Sequence, residues 1–105
     1  MTAPAKKAGQ AAPVTTLSDA LAKPFAFTEW AGVPEGRFTV AVTPTRPGKP
    51  FNVMLERSTD NGLTTQTIRV FFRDTEAGFY ELHGALYRFR ALATLDQTIE
   101  VRLRT

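Results

Sequence analysis

Residues 51–72 read FNVMLERSTDNGLTTQTIRVFF, and the fold class is decided there. Phe51, Val53 and Leu55 alternate with Asn52, Met54 and Glu56. Beyond Asp60-Asn61-Gly62, Ile68, Val70 and Phe72 alternate with Thr67, Arg69 and Phe71. A period of two puts alternate side chains on opposite faces of a strand, and Asn-Gly accepts the positive φ angles of a tight reversal. The stretch therefore predicts a β-hairpin.

Similar runs flank it. Phe38, Val40 and Val42 alternate with Thr39, Ala41 and Thr43. Tyr87, Phe89, Ala91 and Ala93 alternate against Arg88 and Arg90, and Ile99, Val101 and Leu103 against Glu100, Arg102 and Arg104. Phe25 and Phe27 alternate with Ala26 and Thr28, which predicts a first strand over Phe25–Trp30. The segment from Trp30 to Gly36 and the polar run Arg73–Gly78 read as turns, Phe79–Leu82 as a short strand or bend, and Asp96-Gln97 as the last turn. Turn signals between short alternating runs are the mark of an antiparallel sandwich or small barrel. Leu82, Gly84 and Tyr87 are placed like a tyrosine corner, which selects an immunoglobulin-like sandwich over residues 25–105; the competing reading makes Tyr87 an ordinary strand aromatic. All 7 prolines stand at or before Pro50, so interior strands are expected from the second half and edges from the first.

The N-terminal part differs. Met1–Val14 is Ala, Lys, Gly, Gln and Pro, with little to bury, and predicts an extended arm that a partner would have to order. In Thr15–Lys23, Thr16 and Asp19 resemble a capping box, Leu17 and Leu21 stand one helical turn apart, and Pro24 stops the run. A short helix is expected, as a cover for one end of the β-domain or as a docking peptide. Residues 1–24 thus form an arm with a short helix.

Composition narrows the function. The 105 residues hold one core and one domain, and the absence of Cys excludes disulfides and thiolate metal sites. No apolar run is long enough for a helical membrane span. The N-terminus lacks the hydrophobic core of a secretory signal, so the whole chain is expected to serve as made, in a cytoplasm or an assembly. The net charge of +3 comes from the first fifty residues, since residues 51–105 balance seven Arg against seven acids. A mild positive tail fits an acidic partner surface as readily as phosphate, and nucleic-acid domains usually show a denser basic stripe, so nucleic acid is not the expected partner.

Sites of chemistry are faint. His83 is the single histidine and has only Glu81 nearby. Ser58-Thr59-Asp60 has the short polar residues of a hairpin turn, and Asp60, Asp74, Glu76 and Glu81 lack calcium-loop spacing. No catalytic residue, cofactor or metal is expected. The arginines at 88, 90, 102 and 104 predict an exposed sheet face, either solvated or turned to an acidic neighbour. Trp30 is a core residue or an interface anchor. A carbohydrate-binding module would use exposed Phe71, Phe79 and Tyr80. A single-strand nucleic-acid binder would use Tyr87-Arg88-Phe89-Arg90, whose aromatics and arginines point to opposite faces.

The order of LERSTDNG at 55–62, the acidic turn at Glu76-Ala77-Gly78 and Ala85-Leu86-Tyr87-Arg88-Phe89-Arg90 resembles small β-sandwich virion proteins of tailed bacteriophages. The likeness covers Arg37 to the C-terminus, with Asn61-Gly62 where paired glycines are usual. It implies a non-enzymatic virion component. A capsid decoration (cement) protein bound to the major capsid protein comes first, a neck, tail or fibre-base subunit is the alternative, and a homo-oligomer is compatible with either. The contact residues expected are Lys6, Lys7, Leu17, Leu21, Phe25, Phe27 and Trp30, too apolar or too basic to be idle yet outside the clearest core pattern.

Overall fold

The computed structural model describes residues 16–92 and 97–105, and Met1–Thr15, with Lys6 and Lys7, lie outside them together with the 93–96 segment. The strands are β1 Thr16–Leu21, β2 Ala31–Val33, β3 Gly36–Pro44, β4 Val53–Ser58, β5 Gln66–Phe71, β6 Thr75–Glu81, β7 Ala85–Ala91 and β8 Ile99–Arg104. They form two antiparallel sheets, β1-β8-β3-β6 and β2-β7-β4-β5.

Only β4 and β5 are consecutive neighbours; every other connection crosses from one sheet to the other. This is the strand order of a jelly roll, two Greek keys wound together. The immunoglobulin-like order expected from Tyr87 is therefore replaced, because that fold keeps several consecutive pairs within one sheet. The corner itself is absent too: the Tyr87 hydroxyl donates to the Glu81 carboxylate at 2.6 Å and not to upstream backbone.

The core lies between the sheets and follows the alternation. Phe38, Val40 and Val42 of β3 and Ile99, Val101 and Leu103 of β8 meet Val53 and Leu55 of β4 and Tyr87, Phe89 and Ala91 of β7, all buried. The Phe38 and Tyr87 rings touch across the gap at 4.7 Å. Each large side chain removed from water this way contributes about 1.5–3 kcal/mol, which makes this layer the main source of stability.

Four expectations are corrected. Thr16–Leu21 is a strand paired with β8 along its whole length, from Thr16↔Arg104 to Leu21↔Ile99, and not a helix. Leu17 and Leu21 are four apart, a spacing that shares a face at period 2 as well as at 3.6, and the open edge of β8 decides for the strand. Phe25–Trp30 gives one bridge, Phe27↔Arg90, in place of a full strand, while β2 forms inside the expected turn. β6 likewise begins at Thr75, inside the run read as a polar turn. Finally, β3 is an interior strand although it comes from the proline-rich half, whereas β5 and β6 are edges. Pro44 ends β3 and so interrupts no ladder.

The hairpin is present, with Asn61 (φ 61°) and Gly62 (φ 87°) reversing the chain. Its second strand faces the other way. Phe71 is buried while Ile68, Val70 and Phe72 are 36%, 37% and 58% exposed. The cause is a bulge: Leu55 pairs with Arg69 and Glu56 with Thr67, so Ile68 has no partner of its own in β4.

Candidate interaction face

The two outer faces of the sandwich differ in character. On the first sheet the outward residues are polar but for Tyr80: Arg37 and Thr39 of β3, Glu76 of β6, and Glu100, Arg102 and Arg104 of β8 are all exposed, as the alternation predicts. On the second sheet, Met54 pairs with Val70 on one side and with Arg90 on the other, which sets thioether, valine and guanidinium in one row. Ile68 and Phe72 extend that row along the β5 edge, and Phe27 covers the far side over Arg90.

Phe27 reaches this face because of the backbone around it. Phe25 takes φ 60° in the turn after Pro24, and Ala26 and Thr28 then hydrogen-bond along β7: Ala91 N donates to Ala26 O at 2.7 Å, and Thr28 N to Phe89 O at 3.0 Å. The Thr28 hydroxyl is buried and accepts from Phe89 N at 3.1 Å. Ala26 and Thr28 consequently turn inward, leaving Phe25 and Phe27 62% and 55% exposed.

Beside the apolar row, on the same face, sits a charged cluster that is almost fully satisfied. The Arg88 guanidinium lies 4.4 Å from the centre of the Phe27 ring and 4.4 Å from that of Trp30, and its Nε donates to Glu56 at 2.8 Å. Burial of Glu56 requires such a partner, and the two rings supply quadrupole attraction of about 0.5–2 kcal/mol. Arg90 stands at 3.9 Å from the other Glu56 oxygen, with its Nε buried and without an acceptor among the described residues. Trp30 is thus neither simple core nor free anchor: it clamps Arg88 and packs on the hairpin loop at Gly62.

The loop is rigid for reasons of its own. The Ser58 hydroxyl accepts from the amides of Asp60 and Gly62, and Asp60 accepts from the Thr64 hydroxyl and amide. These bonds, the Thr64 hydroxyl first, bring the Asp60 pKa down to about 2.

Of the other expected contact residues, Leu21 is 2% exposed and Leu17 is packed against the core, so both serve the interior. Lys6 and Lys7 lie outside the described residues. Phe71 is buried and Phe79 stacks on Phe38 at 5.6 Å, which removes two of the three aromatics considered for carbohydrate; Tyr80 is 56% exposed. Tyr87 and Phe89 are inside, opposite Arg88 and Arg90, as the alternation requires. His83 is exposed, and its neighbour Glu81 is buried and bound to Arg57. Among the described residues, no three of His, Asp and Glu are grouped to hold a metal ion. The row Met54, Ile68, Val70 and Phe72 was missed by sequence reasoning, and its one signal is the doublet Phe71-Phe72, which admits either face.

No protein-family model matches this chain, and no curated protein matches it. Among solved structures it is similar to the Yersinia pseudotuberculosis-derived mitogen, with a TM-score of 0.53 and 9% identity over 90% of this chain and 87% of that one. At that identity the likeness concerns the fold alone.

Proposed function

We propose that this chain is a non-enzymatic structural subunit of a tailed-phage virion, a capsid decoration protein that docks on coat subunits through the outer face of β2-β7-β4-β5. The observation that carries this reading is the exposed apolar row of Phe27, Ile68, Val70 and Phe72, beside the Arg88–Glu56 pair, on one face of a molecule whose opposite face is polar but for Tyr80. Two of the three motifs behind the phage resemblance, residues 55–62 and 85–90, support it, since they lie side by side in β4, β7 and the hairpin loop and help build this face, while the third, Glu76-Ala77-Gly78, is in β6 of the other sheet.

The mechanism is burial. Covering apolar surface yields about 25 cal/mol per Å², so each copy binds modestly, and many copies across the joints of a shell add up. Half-exposed Arg90 adds direction by offering its guanidinium to a carboxylate or carbonyl of the coat subunit.

The test is reconstitution. Purified chain mixed with expanded coat-protein shells and imaged by electron microscopy is expected to show regular density at the joints between coat subunits. Binding to neck or tail assemblies alone would move the assignment to those structures, and binding to neither would end it.

A further inference from the structure

The outer face of the first sheet holds a second feature, independent of coat docking. Thr39 pairs with Gly78 on one side and Arg104 on the other, and Arg37 pairs with Tyr80. Gly78 has no neighbour within 4 Å of where a Cβ would stand, so the sheet surface dips there, and Arg37, Thr39, Gly78, Phe79 and Tyr80 border a depression of about 400 Å³. Thr39 also borders a second, smaller hollow of about 170 Å³, lined on its far side by Glu76, Arg102 and Arg104.

The contents of this depression are specific. Tyr80, 56% exposed, offers a ring face at its rim. Arg37 and Arg104 stand diagonally about Thr39, at the roughly 7–8 Å separation of diagonal cross-strand positions, within reach of one anion for two side chains of that length. No ion pair to a described residue engages Arg37, Arg102 or Arg104, whereas Arg57, Arg88 and Arg90 on the second sheet are all paired. Charge changes along the strands: Arg37 and Arg104 stand in the Tyr80 and Thr39 rows, Glu76 and Arg102 flank Ala41 in the next row, and Glu100 follows beside Thr43. A long polyanion such as nucleic acid would run over those acids. A short ligand with one negative group would not.

We propose that this depression binds a saccharide carrying a single carboxylate, such as a sialic or uronic acid residue. One sugar face lies on the Tyr80 ring over the notch at Gly78, and Arg37 and Arg104 hold the carboxylate with Thr39 as an additional donor. If the second sheet docks on a shell, this face points outward; the saccharide site itself does not depend on that docking.

The experiment is calorimetric titration of the full chain with 3′-sialyllactose and a hyaluronan disaccharide, each with one carboxylate, against lactose and chitobiose as neutral controls. The acidic probes are expected to bind about tenfold or more tightly than the neutral ones, the worth of one charge-assisted contact. Arg37→Gln and Tyr80→Ala are each expected to weaken binding by a similar factor with an unchanged melting temperature. Gly78→Val, which fills the notch from open space and favours the strand, is expected to abolish it. Failure of both acidic probes to bind in the millimolar range would overturn the proposal. So would equal affinity for neutral sugars, insensitivity to all three substitutions, or tighter binding of an oligothymidine through the same residues. Shell binding would be untouched by any of these outcomes.

Discussion

Glu81 receives five donors on two oxygens: Arg57 Nε and the Tyr87 hydroxyl on one, Arg57 Nη2 and the amides of His83 and Gly84 on the other. It joins β6 of one sheet to β4 and β7 of the other, with 1% of its side chain exposed. The Arg57 pair, foremost, holds its carboxyl far below its ordinary 4.5. A depressed carboxylate contributes stability that is complete above its unfolded pKa and lost as the pH falls toward the folded one. The melting temperature is therefore expected to decline from about pH 4.5 downward. Glu81→Gln is expected to flatten that decline and to cost about 3–5 kcal/mol near neutrality, because Arg57 is left without its partner. Chemical denaturation of both proteins between neutral and acid pH measures each effect. Burial and the same carboxylate push the Tyr87 hydroxyl above its usual 10.0. Its contribution is present below that value and is lost at more alkaline pH.

At the scale of the element, the central strands were legible in the sequence and the edges were not. In β3, β4, β7 and β8, one face meets the core, so Phe38, Val53, Phe89 and Val101 announce themselves by alternation. An edge strand has a choice. Leu17 and Leu21 fit a helix as well as a strand until β8 offers its free ladder, and Phe71-Phe72 fits either face until the bulge at Ile68 sets the frame. Glu81 was hidden because nothing local marks a carboxylate for burial; of the candidate face, Phe27 was expected as a contact residue, whereas Val70 and Phe72 were hidden by the bulge that turns them outward. Two substitutions test these elements. Leu21→Ala is expected to cost about 2–5 kcal/mol and to speed amide exchange along β1, where a terminal helix would leave β8 exchange unchanged. Gly62→Val places a branched residue at φ 87° with its Cβ about 3.0 Å from the Trp30 indole nitrogen. A loss of about 1–3 kcal/mol and a shifted tryptophan emission are expected.

Across the whole molecule, the sandwich separates two surfaces that cannot touch the same neighbour. Val70→Thr combined with Phe72→Ser changes exposed side chains only, so the melting curve is expected to move by no more than about 0.5 kcal/mol. Occupancy on shells is nevertheless expected to fall sharply, and sedimentation with the shells reads the difference. The winding has its own consequence for how the molecule is made. β8, the last of the described strands in chain order, takes the place between β1, the first of them, and β3. Until it arrives, the N-terminal half of the first sheet has two facing ladders with nothing between them and an apolar layer half open to water. Folding of this domain is consequently an all-or-nothing event that waits for β8, and a chain stalled or cut before that strand is a client for chaperones instead of a smaller working domain.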